Sequence, residues 1–203
     1  MNGQIDNQCE YLFKIVSGGL DSGGNVRDGG AMEWTGARYA DRPTVEVPIE
    51  IDAPPERVWA IVSDIAVMPG ASPELQAVEW LDGRNGPGLG ARFAGHNEHE
   101  AFGQWSTVSV IVEYDPPRVF AWAVGDQDEP SAIWRFSLEA QEGGTLLRQW
   151  VQMGPGRSGL SVAIDQMPDK EQKIVFVRLR ELEANMGATL AQIKRLAEGP
   201  AGA

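Results

Sequence analysis

Cysteine, histidine and long apolar runs are scarce in this chain, and each shortage removes a class of function. A single cysteine, Cys9, among 203 residues leaves no intramolecular disulfide and no thiolate-rich metal site. That usage fits a reducing compartment, so a cytoplasmic location is expected. No apolar run approaches the ~20 residues that a membrane-spanning helix requires. The short patch from Tyr11 to Val16 is interrupted by Lys14, unlike the apolar core of a secretory signal. Cations are also in the minority: 17 Lys and Arg face 29 Asp and Glu, for a formal net charge of −12. Such a surface repels phosphate backbones and anionic headgroups, which argues against a nucleic-acid partner and against membrane docking or insertion.

Catalytic signatures are equally thin. No Gly-x-Ser-x-Gly elbow occurs, and the glycines between Gly83 and Gly90 lack both the Lys-Ser/Thr ending of a P-loop and the spacing of a dinucleotide site. They read as a hairpin connection, and no cofactor is implied. His96 and His99 are the only histidines. Three apart on a strand, they point to opposite faces and do not converge on a metal without a bulge, so none is expected. A lone histidine near neutrality can serve as a general acid or base. His96 is the candidate, because Asn97 and the neighbouring strands would hold a polar ligand group nearby.

What the chain does have is ordered patterning from Thr44 onward. Residues 1–43 are rich in Gly, Ser, Asn and Asp around Ser17–Gly30, a composition that does not repay ordering. They read as a flexible tail, or in part as a stretch upstream of a natural start at Met32. The Thr44–Asp52 stretch alternates Val45, Val47, Ile49 and Ile51 with polar residues, the signature of a half-buried strand. Ala53-Pro54-Pro55-Glu56 then starts a short helix, with proline tolerated and Glu56 favoured in its first turn. Pro69-Gly70 closes a second short helical element.

Six further strands follow, over Leu75–Leu81, Ala91–Glu98, Trp105–Tyr114, Val119–Val124, Ala132–Glu139 and Thr145–Met153. Turns such as Asp115-Pro116-Pro117 and Glu142-Gly143-Gly144 separate them. The pattern then changes period: Val175, Leu179, Leu182, Met186, Leu190, Ile193 and Leu196 form one stripe of a long helix ended by Gly199-Pro200. The expectation is an α+β domain over 44–198, a curved seven-stranded antiparallel sheet wrapped around a long C-terminal helix. Two short helices follow strand 1, and 199–203 form a C-terminal tail. One helix cannot cover seven strands laid flat, so the sheet must curl and tends to leave a cavity.

The stretch Ile51-Asp52-Ala53-Pro54-Pro55-Glu56-Arg57-Val58-Trp59-Ala60, with Val62-Ser63-Asp64-Ile65, resembles the opening of the polyketide cyclase/dehydrase branch of the SRPBCC superfamily. These are helix-grip proteins related to START lipid-transfer domains and the birch pollen allergen. Ser72-Pro73-Glu74, Glu79 to Gly83, Gly86-Pro87 to Gly90-Ala91-Arg92-Phe93, Asn97, Trp105-Ser106-Thr107 and Met186 with Ala188 to Lys194 continue the resemblance over about three-quarters of the chain. It implies a helix-grip fold and a cavity for a hydrophobic molecule, but no one reaction. Ala71 stands where a Trp is expected. Relatives often carry an Arg-Asn pair near His96-Asn97 and a carboxylate near Gln149, so ligand identity is expected to differ here.

The aromatic strands supply the ligand-site candidates. Phe120 and Trp122 share one strand face, and Trp134 and Phe136 share another. With Trp59 and Phe93 they fill a core or line a pocket. Asn97 and Gln149 are the polar residues expected to orient a ligand there. Met186 and Leu190 supply the helix side, with Gly187 allowing close approach, and Met153–Pro168 is the expected lid. The inward or outward face of Trp105 stays open, since Val108, Val110 and Val112 take the opposite parity. The leading functional reading is binding of a lipid-like or polycyclic molecule by a carrier, sensor or sequestering protein, monomeric or homodimeric. Alternatives are a cyclase/aromatase or dehydratase using cavity acids and bases, and an interaction module with a vestigial cavity.

Overall fold

Alternation of apolar and polar side chains organises most of this computed structural model, which describes residues 32–99 and 103–199. The strands are β1 (Thr44–Ile51), β2 (Leu75–Trp80), β3 (Arg92–His99), β4 (Gly103–Asp115), β5 (Val119–Gly125), β6 (Pro130–Gln141) and β7 (Gly144–Met153). They form one seven-stranded sheet in the order β1-β7-β6-β5-β4-β3-β2. Every neighbouring pair is antiparallel. From β2 to β7 the sheet is a meander, as short turns require. β1 instead pairs with β7, Val47 opposite Gln149, so the chain between β1 and β2 crosses from one sheet edge to the other.

That crossing is made by α1 (Pro55–Val62) and a 3-10 turn over Ile65–Gly70. Pro55 at the first helical position needs no N–H partner. At the C-terminal end of α1, the Ser63 hydroxyl donates to the Trp59 carbonyl at 2.8 Å. The 3-10 turn is capped by Asp64, whose carboxylate accepts from the Ala66 N–H at 3.0 Å. After β7 come α2 (Gly159–Gln166) and the long α3 (Glu171–Glu198). The fold is therefore α+β, with α3 gripped by the curved sheet.

The core divides along α3. Toward its C-terminal half, Leu190, Ile193 and Ala197 meet Val58, Val62, Phe120, Phe136 and Leu147. Toward its N-terminal half, Ile174, Val175 and Leu179 meet Val45, Val151, Leu160 and Ala163. The helical stripe is thus displaced from its expected course at the end: Leu196 is 44% exposed, and Ala197 takes the buried position. A residue at 197 continues the step of four from Ile193, which keeps the stripe on the sheet as the helix turns.

Met153–Pro168, the expected lid, contributes no lining residue to the cavity described below. Its helix α2 packs on α3 through Leu160 and Ala163, which covers the N-terminal half of that helix. Residues 32–43, placed in the tail by composition, make specific contacts. Tyr39 donates its hydroxyl to the Gly156 carbonyl at 2.7 Å and its backbone N–H to Glu171 at 3.0 Å, while Trp34 stacks edge-on against Phe176. Residues 1–31, including Cys9 and the Tyr11 patch, and 200–203 lie outside the described residues. No helix among the described residues is long and apolar enough to cross a membrane.

Candidate functional site

The inward face of the sheet is set row by row. Trp122 on β5 lies directly opposite Trp134 on β6, and Phe120 opposite Phe136. Phe136 in turn faces Gln149 on β7. Cross-strand partners share a face, so these five side chains point together toward α3. The result is a cavity of about 150 Å³ between the middle of the sheet and the helix. Trp122 and Trp134 stack nearly parallel, with planes 10° apart and centroids at 6.2 Å; Phe93 and Phe136 approach Trp122 at tilted angles.

Eight of the residues expected at a ligand site line this cavity: Phe93, Asn97, Phe120, Trp122, Trp134, Phe136, Gln149 and Met186. Trp59 and Leu190 do not. Trp59 is a core residue packed at a tilt on Tyr114 at 5.5 Å and edge-on to Phe120 at 6.3 Å. Leu190 follows the cavity-lining Thr189 on α3 but is turned away, fully buried against α1 and the sheet. Gly187 is not a point of close approach, because a Cβ added there meets no atom within 4 Å.

His96 is also removed from the site. Phe93, Gly95 and Asn97 line the cavity, so strand alternation turns His96 outward. There its ring nitrogens lie 2.8 Å from Ser106 Oγ and 3.6 Å from Glu79 Oε1, both exposed contacts. His99 has the parity of Asn97 and borders a shallow hollow outside the cavity, with Glu74, Glu98, Glu181 and Asn185. Among the described residues no cluster of His, Cys, Asp and Glu is suited to hold a metal.

The structure also settles the face of Trp105. It lies opposite Asn97 and so belongs to the inward face, with Thr107 and Ser109 lining the cavity. The valine face points out, and Val108 is 38% exposed. Neighbouring strands decide this parity: with Phe93 and Trp122 turned in, the register carries Ser109 and Ile111 in with them. A bulge between Ile111 and Glu113 then turns Tyr114 inward onto Trp59.

The cavity mouth carries a cluster that periodicity did not reveal. Glu74, between the 3-10 turn and β2, lines the cavity together with Ile65, Met68 and Ser72. Its two carboxylate oxygens accept from Arg178 Nη1 and Nη2 at 2.8 and 2.9 Å, and Oε1 also accepts from Asn185 Nδ2 at 2.9 Å. Arg178 donates further to Glu181 at 3.2 Å. The Glu74 and Arg178 side chains are only 14% and 16% exposed. Burial by itself raises the Glu74 carboxyl, but the hydrogen bonds and charge of Arg178, with the charge of His99 and the Asn185 amide, outweigh it and hold the group below the ordinary carboxylate range. Glu74 and Asn185 border both the cavity and the outer hollow, so this ion pair stands between them.

The polar lining is otherwise uncharged. Thr107, Ser109, Asn97, Gln149, Asn185 and Thr189 join the aromatic wall, and among the described residues Glu74 is the one ionisable lining residue. Thr189 donates to the Asn185 carbonyl at 2.9 Å, and Asn97 donates to the Gly95 carbonyl at 3.3 Å. Gln149 is 6% exposed, and its Oε1 is buried without a hydrogen-bond partner.

Known structures share this architecture. The polyketide-cyclase-like protein Cgl2372 from Corynebacterium glutamicum is 31% identical, over 75% of this chain and 90% of its own, with a TM-score of 0.55. The di-domain ARO/CYC StfQ of the steffimycin biosynthetic pathway is 16% identical, over 79% of this chain and 52% of its own, with a TM-score of 0.61. The di-domain ARO/CYC BexL of the BE-7585A pathway is 21% identical, over 77% and 50%, with a TM-score of 0.58. This chain thus spans about half of each di-domain protein, and at such identities the likeness is one of fold. No curated protein matches the chain. Residues 42–198 match one family over the whole gripped sheet and helix, and with the similarity to Cgl2372 they place the chain: it belongs to the polyketide cyclase/dehydrase and lipid transport family.

Proposed function

We propose that the protein binds a hydrophobic small molecule in the cavity between sheet and helix, as a carrier, sensor or sequestering protein. One observation carries this reading: an aromatic wall borders a cavity whose one ionisable lining residue among those described, Glu74, is already neutralised by Arg178. Apolar rings supply the affinity and a few amides and hydroxyls the orientation, the usual division of labour in a small-molecule site. A proton-transfer enzyme needs a group whose protonation changes near the working pH. Glu74 is held charged, and no histidine lines the cavity.

The family description also includes cyclases and dehydrases, and the ARO/CYC neighbours share the fold. A cyclase or dehydratase reading here would have to route proton transfer through Glu74, at the cost of its bond to Arg178. Native mass spectrometry and thermal shift against lipids, sterols, polycyclic aromatics and small one- and two-ring arenes test the proposal, with product analysis of each bound compound. Saturable binding of a compound released unchanged is the expected result. Turnover that disappears in Glu74→Gln would favour the enzyme instead, and the failure of every class to bind would remove the ligand-binding reading.

A further inference from the structure

We infer that the cavity selects a small, neutral, flat aromatic molecule of one or two rings bearing a hydroxyl, and that the hydroxyl pairs with the Gln149 amide. This rests on the reading that the cavity binds a ligand, and it names the ligand class.

Size is the first constraint. A volume of about 150 Å³ equals that of an engineered apolar cavity known to accept benzene. It encloses one ring or a fused pair, and is too small to enclose a four-ring polycycle or a long acyl chain whole. Shape is the second. The near-parallel Trp122 and Trp134 planes set a common orientation for any ring packed beside them, which favours a flat partner.

Hydrogen-bond accounting is the third and most specific constraint. One Asn185 amide N–H donates to Glu74, one Asn97 amide N–H to the Gly95 carbonyl, and the Thr189 hydroxyl to the Asn185 carbonyl. Gln149 Oε1 alone among the described buried side-chain polar atoms has no partner. A buried acceptor left unpaired is costly, and a ligand that satisfies it recovers that cost on binding. Rotation about the last side-chain bond of glutamine is soft, so the oxygen can be turned to meet the ligand. A hydroxyl suits both ends of the amide, since it donates to Oε1 and its lone pairs accept from the N–H. An ether only accepts. A carboxylate finds no Lys, Arg or His among the described lining residues.

Calorimetric titration of the full chain with 2-naphthol, 2-methoxynaphthalene, 2-naphthoate and oleate tests the inference. Naphthol is expected to bind about tenfold more tightly than the methyl ether, the difference one hydrogen bond makes. Naphthoate and oleate should bind more weakly than naphthol. In Gln149→Met, of similar length, naphthol should fall to the level of the ether while the ether is little changed. Equal affinity for naphthol and ether in the unmodified protein overturns the inference, without any variant having to fold. Tighter binding of naphthoate or oleate than of naphthol overturns it too, yet leaves the general ligand-binding reading intact. Both fail together if none of the four binds and the lipid, sterol and polycycle panel is also silent.

Discussion

Replacing Arg178 by Met should expose the energetics of the mouth. In the native protein Arg178 and Glu74 form a two-pronged pair whose side chains are 16% and 14% exposed. Removing the guanidinium leaves the Glu74 carboxylate buried without its two-pronged partner, and the Asn185 amide and the charge of His99 do not replace it. Breaking a buried pair from one side costs about 3–5 kcal/mol, against roughly 0–1 kcal/mol for an exposed pair. For a domain of this size the larger cost lowers the melting temperature by about 10 °C. Replacing both partners, Glu74→Leu with Arg178→Met, removes the stranded Glu74 charge as well, and the more exposed Glu181 loses only its 3.2 Å contact with Arg178. That double variant should recover to within about 1 kcal/mol of the native protein, because desolvation of both charges disappears with their attraction.

The pH dependence follows from the direction of the Glu74 shift. In the folded protein its pKa lies below the ordinary value of 4.5. The unfolded chain therefore takes up the proton first as pH falls. The pair's contribution is fully present above pH 4.5 and is lost as pH drops through the lowered folded pKa. In Arg178→Met the partner is gone and burial raises the carboxyl instead, so the folded state takes up the proton first. The deficit of the variant should be largest near neutrality and shrink toward pH 5. Urea unfolding at pH 7.5 and pH 5, followed by circular dichroism, measures both. A deficit below about 1 kcal/mol, or one equal at the two pH values, would refute the claim that this pair behaves as a buried one.

Other positions offer independent checks. Gly187→Ala should stabilise the protein by about 1 kcal/mol in the same unfolding assay, because a helix-interior glycine is replaced where the new Cβ meets nothing within 4 Å. Gly144→Ala should destabilise it by at least about 1–3 kcal/mol, since its Cβ would collide with the Ile51 carbonyl and overpacking carries that cost. His96→Ala should leave both the melting temperature and ligand affinity unchanged, as the ring lies on the outer face. A large loss of either in that variant would contradict the strand parity described above.

Much of this protein was legible without coordinates, because periodicity is a local property. The alternation in Thr44–Ile51 and the apolar stripe of Glu171–Glu198 each follow from where side chains must go along one element. The shared faces of Phe120 with Trp122, and of Trp134 with Phe136, follow in the same way. Strand parity sets the adjacent His96 and Asn97 on opposite faces, against the expectation that both would serve one ligand. Only the neighbouring strands settled which of them faces the cavity, and they chose Asn97.

What the tertiary structure alone decided concerns relations between elements. The sequence is silent on β1 joining β7, which needs the crossing of α1 over the sheet end. It is misleading on β4, where the valine face looks like the core. The faces of Phe93 and Trp122, across the register, turn the polar face inward instead. The ion pair at the mouth joins Glu74 and Arg178, 104 residues apart in the chain. No spacing rule connects them, since only packing of the Ile65–Leu75 segment against α3 gives that carboxylate its partner. The helix and the aromatic rows were therefore set by the order of residues. The size of the space between them, and its one unpaired oxygen on Gln149, were set by how the sheet curls.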